Sequence, residues 1–170
     1  MSALSRLLMD HVKLIDVEDI AEPAPDAETF PAVTKEFLLG GHAYFTVTNP
    51  KGNRLRYVIK ARAGKRGTQW NGTVSYYLRV YHQGSSGYRY VGVVQEDGSI
   101  VSTGQAAYLK GTLEYDIAAW ALSVVFQQVP IRVGYAITHN DKCGKCAAWL
   151  VDRGDRETGF HLDCMRDGSD

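Results

Sequence analysis

The sequence predicts an α+β fold: a twisted antiparallel sheet covered by one helix, with an N-terminal helical arm and a C-terminal treble-clef-like zinc knuckle. Three observations carry that expectation. Between residues 42 and 102, apolar and polar residues alternate with period two in five short runs separated by turn formers, the pattern of half-buried strands. Near residue 113 the period lengthens to that of a helix. All three cysteines, Cys143, Cys146 and Cys164, lie near the C-terminus at chelating spacings.

With 170 residues, 45% hydrophobic and 22% charged, the chain has material for one domain with an appendage. It divides into an acidic helix and linker over 1–36, a sheet-and-helix domain over 37–137 and a metal knuckle over 138–170. No apolar run approaches the roughly 18 residues of a membrane span, so no membrane association is expected. The opening MSALSRLLMDHVKLID has neither a long apolar core nor a small-residue cleavage site, which points to a cytoplasmic protein.

Residues 2–15 read as a short amphipathic helix with Leu4, Leu7, Leu8, Val12 and Ile15 on one stripe. Such a helix needs a packing partner, either the same core, another protein or a second copy of the chain. Asp16 to Pro31, with three prolines and many acids, reads as an extended linker. In the first strand, from His42, Tyr44, Thr46 and Thr48 alternate with Ala43, Phe45 and Val47. After the turn Asn49–Asn53, the second strand sends Leu55, Tyr57, Ile59 and Ala61 to one side. Arg54, Arg56, Lys60 and Arg62 point to the other, with Val58 among them.

A loop then carries Lys65, Arg66 and Trp70. The third strand, Thr73–His82, is expected to bury Val74, Tyr76, Leu78 and Val80 and to show Tyr77, Arg79 and Tyr81. Strands at Tyr88–Val94 and Ser99–Ser102 complete a meander, which implies antiparallel pairing. Leu113, Ile117, Trp120, Ala121 and Val124 form one helical stripe, Thr112 is the natural N-cap, and Pro130 ends the helix. Ile131–Ile137 reads as a last strand.

Net charge is zero, but it is segregated. Residues 37–110 carry ten basic and only two acidic residues, whereas 1–36 carry three basic and eight acidic ones. A basic middle suits nucleic acid or an acidic protein surface; alternatively the acidic arm folds back on it.

In the tail, Cys143-x2-Cys146 is followed by His161-x2-Cys164. Two thiolates two residues apart chelate one tetrahedral ion from a tight turn, and a second pair closes the shell. Three sulfurs and one imidazole favour zinc. An odd cysteine count argues against a disulfide, and no βαβ context supports a redox Cys-x-x-Cys. Four protein ligands leave no position for water, so the zinc is structural, supplying folding energy to a segment too short for its own core. His139, four residues before Cys143, is the alternative fourth ligand. Gly144 is expected to supply a backbone conformation that the knuckle turn requires.

The tail ITHNDKCGKCAAWLVDRGDRETGFHLDC resembles the short zinc knuckle of bacteriophage proteins of unassigned function, which read His-x3-Cys-Gly-x-Cys and end in Gly-x-x-x-Cys. FTVTNPKGNRLRYVIKA and YRYVGVV resemble their strand-rich module, so the likeness spans roughly residues 42–164. It departs at Leu150–Asp155, which replaces the family's Leu-Thr-x-Pro-x-Ser, and at Leu162-Asp163, which replaces Gly-Pro. The resemblance implies a phage-encoded protein in the host cytoplasm, with His139 as a ligand, and brings no activity with it.

Enzyme motifs are missing. No His-x-Glu lies upstream of the Cys-x-x-Cys as a zinc deaminase needs, and Ala63–Gly67 lacks the phosphate-loop spacing. The chain is therefore expected to be a non-catalytic binding protein. Its nucleic-acid site would comprise Arg54, Arg56, Lys60, Arg62, Lys65, Arg66, Trp70, Tyr77, Arg79 and Tyr81, with single strands favoured because aromatics stack on unpaired bases. The alternative is a protein-interaction module, such as a phage inhibitor or regulator of a host defence protein.

Overall fold

The computed structural model describes residues 32–69, 71–82 and 87–166. The expected helix over 2–15, the acidic stretch over 16–31 and Trp70 lie outside them. A short helix α1 (Lys35–Leu38) begins at Thr34, whose hydroxyl accepts the Phe37 N–H at 3.2 Å. The strands are β1 (His42–Thr48), β2 (Arg54–Ala63), β3 (Val74–His82), β4 (Gly87–Val94), β5 (Ile100–Val101) and β6 (Ala136–His139). Helix α2 (Leu113–Gln127) separates β5 from β6, and two short helices, α3 (Arg153–Thr158) and α4 (Leu162–Arg166), follow.

All six strands join one antiparallel sheet in the order β5-β4-β3-β2-β1-β6. The meander thus covers five strands, and the chain returns after α2 to add β6 beside β1. On the core face Ala43, Phe45, Val47, Tyr57, Ile59, Leu78, Val80 and Val94 are buried, as period-two alternation requires. The register shifts between Leu78 and Arg79, where Val91 of β4 is the extra residue. That bulge lets both Val91 and Val94 face the core.

Helix α2 fills that face with Ala118, Ala121, Leu122, Val124 and Val125. Of the expected stripe, Ala121 and Val124 are buried, but Leu113 is 55% exposed and Ile117 and Trp120 are only partly buried, so the inner face is turned toward Ala118, Leu122 and Val125. The helix is apolar almost all round, so periodicity alone does not select its inner face. Small Ala118 and Ala121 do, because they allow closer approach to the sheet. Thr112 accepts the Tyr115 N–H at 3.4 Å, as its cap role requires. Tyr57, fully buried, donates from its hydroxyl to the Glu114 carbonyl at 2.9 Å and so ties the sheet to the first turn of α2. Burial, and then the Glu114 carboxylate, push the Tyr57 pKa well up, which keeps it a donor.

Helix α2 is not alone against the core, since Val33, Phe37 and Leu38 share the same cluster. Two further expectations shift. Val74 is 54% exposed because it pairs with Ala63 at the outer end of the β2–β3 ladder, beyond the buried stretch. The last strand begins at Ala136 rather than Ile131, because the chain first turns through Arg132–Tyr135, with Gly134 at φ 80°. Phe37 lies at the junction of α1, the sheet edge and the tail, with its ring 5.7 Å from His139 and 5.9 Å from Phe160. Phe37→Ala should cost about 3–5 kcal/mol, the usual loss for a buried phenylalanine. A lower denaturant midpoint at unchanged m-value would register it.

Candidate metal centre and sheet face

The tail folds back as a knuckle in which Lys142 and Trp149 form an antiparallel bridge. The Cys143 N–H donates to Ala148 O at 2.8 Å, and the Ala147 N–H donates to Cys143 O at 3.0 Å. The left-handed conformation falls on Ala147 (φ 64°), not on Gly144. Gly144 is required for a different reason: a Cβ there would stand 2.8 Å from Phe37 Cδ2 and 3.0 Å from Phe160 Cε1. Gly159, at φ 78°, is constrained by Phe37 in the same way, with Phe37 Cδ2 2.7 Å from an added Cβ. The two glycines make a slot for the Phe37 ring, and that contact docks the knuckle on the domain. The His42 N–H donates to Gly144 O at 2.7 Å, and His42 Nδ1 bonds Lys145 O at 2.9 Å, fastening the same turn to the start of β1.

Helix α4 brings back the second pair, His161 just before it and Cys164 within it. One donor atom from each of Cys143, Cys146, His161 and Cys164 lies within 4.8 Å of all the others. A tetrahedral ion with bonds of about 2.3 Å needs donors about 3.7 Å apart, so a modest contraction suffices. The donor set fits zinc, and these four residues would hold it. His161 Nδ1 faces the cluster at 3.4 Å from Cys146 Sγ, while Nε2 bonds the Trp149 carbonyl at 3.1 Å. That second bond fixes the ring so that Nδ1 is the ligating nitrogen. Lys145 Nζ donates to Cys164 O at 3.0 Å and holds α4 against the turn.

Protonation in the metal-free cluster is uneven. Burial pushes the Cys143 thiol up, but the backbone N–H groups of Cys146, His161 and Lys145 together with the Cys146 side chain bring it down to about 7. Burial, the neighbouring sulfurs and their charge push Cys164 to about 12. Hydrogen bonding to Cys146 and then to the Trp149 carbonyl raises His161 to about 9. One sulfur is thus readily ionised and the next resists, the behaviour of crowded like charges that a cation relieves.

His139 lies outside this group. Its Nε2 bonds Arg156 O at 2.5 Å and its Nδ1 accepts the Asp141 N–H at 3.2 Å, so both nitrogens are engaged. It clamps α3 to the sheet edge.

The second candidate site is the sheet face opposite the core. Cross-strand register aligns Tyr44, Val58, Arg79 and Tyr90 in one row over four strands, and His42, Lys60, Tyr77 and Val93 in the next. Arg56 pairs with Thr46, and Tyr81 pairs with Tyr88. Tyr44 and Tyr88 meet at 6.1 Å between ring centroids although β2 and β3 lie between their strands. Three strand spacings are about 14 Å in a flat sheet, so the sheet curls and the side chains lean inward over its centre. Val58 beneath them is 1% exposed, and the Arg79 Nε is buried with no hydrogen-bond partner. Arg62 lies 6.0 Å from the Tyr77 ring centroid and Lys60 lies 5.9 Å from that of Tyr44.

Of the residues expected to bind nucleic acid, Arg54, Arg56, Lys60, Arg62, Tyr77, Arg79 and Tyr81 share this face. Lys65 and Arg66 lie exposed in the β2–β3 loop. Sequence reasoning left out Tyr44, Tyr88, Tyr90, Lys142 and Trp149. Alternation already put Tyr44 outward, but the bulge hides the facing of β4, and no local pattern links Trp149 to the sheet. Comparison with family models, curated proteins and solved structures gave no match, so the functional reading rests on this geometry.

Purified protein is expected to hold one zinc per chain by metal analysis. His161→Gln and Cys146→Ser should each lower that content severalfold, while His139→Gln should leave it intact. Zinc retained by His161→Gln but lost by His139→Gln would reverse the ligand assignment.

Proposed function

We propose that this protein is a non-catalytic binder of single-stranded nucleic acid, using the outer sheet face. A structural zinc ion in a treble-clef-like knuckle braces one edge of that face, and α2 covers the opposite one. A phage-type accessory role in a host cytoplasm fits this reading. The observation that carries it is the composition of one curled face: Arg54, Arg56, Lys60, Arg62 and Arg79 stand among Tyr44, Tyr77, Tyr81, Tyr88 and Tyr90. Residues 42–94 contain no Asp or Glu, and none of these five cations forms an ion pair among the described residues.

Single-strand binders use the same two ingredients, cations for phosphate and aromatic faces for bases. Absence of catalysis is supported by the metal set, in which four protein donors would fill a tetrahedral shell and leave no place for substrate or water.

Labelled single- and double-stranded oligonucleotides titrated at two salt concentrations provide the test. Binding should be tighter for single strands and should weaken with salt. Arg56→Ala/Lys60→Ala should lower affinity more than tenfold and flatten the log–log salt slope by about 1.4, roughly 0.7 per lost phosphate contact. Arg79→Met offers a separate check. It removes a buried unpartnered donor, whose burial typically costs about 1–3 kcal/mol, so thermal stability should hold or rise while binding falls. No binding at low salt rejects the proposal.

Val151, Leu162 and Met165, exposed by 76%, 56% and 52%, favour a second reading, a module that docks on a host protein. Co-purification of a defined partner that survives nuclease treatment, in place of oligonucleotide binding, would select it.

A further inference from the structure

We infer that Trp149 of the knuckle extends the aromatic surface of the sheet, and that the metal cluster holds it in place, so that metal loading and single-strand binding are coupled. The inference deepens the nucleic-acid reading above and rests on it.

The Lys142 ammonium lies 4.7 Å from the Tyr44 ring centroid and 4.9 Å from that of Trp149, so one cation is shared between a ring of the sheet and a ring of the knuckle. Tyr44 in turn meets Tyr88 at 6.1 Å, and Tyr88 meets Tyr81 at 5.5 Å. A single aromatic path therefore runs from β3 and β4 over β1 and, through Lys142, onto the knuckle. Its far end is the least covered: Trp149 is 64% exposed. An indole beside a cation, at the end of a basic aromatic surface, offers a base a stacking partner and its phosphate a counter-charge.

The second observation concerns what positions that indole. His161 turns Nδ1 toward the thiols and Nε2 toward the Trp149 carbonyl at 3.1 Å, so the bond that orients the ligating ring also holds the Trp149 backbone. Trp149 is further fixed by its bridge to Lys142, one residue before Cys143. Each backbone restraint on Trp149 is thus within one residue of a metal ligand or is made by one. Loss of the ion would release both, and the cation shared with Tyr44 would lose its setting. Single strands are the probe of choice because a duplex hides the base faces that stacking needs.

The experiment measures anisotropy of fluorescein-labelled oligo(dT) with the full chain, zinc-loaded and after chelation. Trp149→Ala should weaken binding about tenfold at unchanged zinc content, within the range of one lost stacking contact, and Trp149→Phe should recover most of it. Chelation should weaken the wild type by at least as much and add little further loss to Trp149→Ala. His161→Cys separates metal from positioning: it keeps a fourth ligand but lacks the bond to the Trp149 carbonyl, so zinc should stay while affinity drops. Wild-type affinity in Trp149→Ala, or equal chelation losses in wild type and Trp149→Ala, would overturn the coupling while leaving the sheet-face reading intact. Failure of the zinc-loaded wild type to bind oligo(dT) at low salt would remove both.

Discussion

Three thiols and an imidazole gathered within 4.8 Å set the terms for the C-terminal part of the molecule. Such a group cannot carry its full negative charge unaided, and the protonation pattern records the conflict. Cys143 ionises easily because backbone N–H groups point at its sulfur, and Cys164 is then held protonated. The tail offers little apolar substance in compensation, since beyond Cys143 the one fully buried large side chain among the described residues is Leu150. The segment leans on the domain beside it, and a cation bound by the four donors would supply further order.

That docking is specific. Phe37, from a four-residue helix whose own stability would be negligible, fills a slot that exists because positions 144 and 159 lack a Cβ. The sheet contributes the backbone bond from His42 to Gly144, and β6 contributes His139. The knuckle is consequently a fixture of the β1–β6 edge of the sheet. Its Lys142 and Trp149 stand beside Tyr44 because of that fixture and not by local sequence.

Much of this was legible in the sequence, for identifiable reasons. Strands β1 to β3 follow from alternation because each has one face in the core and one outside, and Cys-x2-Cys with His-x2-Cys spacing marks a chelate whatever the fold around it. The phase of α2 was only partly legible, because a helix with apolar residues on nearly every side satisfies several stripes: Ala121 and Val124 were placed inward correctly, Leu113 was not. The role of Gly144 was not legible, since close approach depends on Phe37, more than a hundred positions away in the chain. The facing of Tyr88 and Tyr90 was hidden by the bulge at Val91, which changes the parity of β4. His139 matched a plausible ligand spacing, and only its two hydrogen bonds, to Arg156 and Asp141, show it occupied elsewhere.

The outer sheet face is partly closed over rather than fully open to water. Here the tyrosines lean together across two intervening strands, Val58 is sealed beneath them, and the Arg79 Nε is buried without an acceptor. An unsatisfied donor and five cations that form no ion pair among the described residues are costs to the isolated fold, from desolvation in one case and mutual repulsion in the other. A phosphate chain over the same face would relieve the repulsion, and the tyrosines would offer its bases a surface already curved and rigid. The arrangement is costly for a surface that meets only water, and the proposed binding of an extended polyanion would offset that cost.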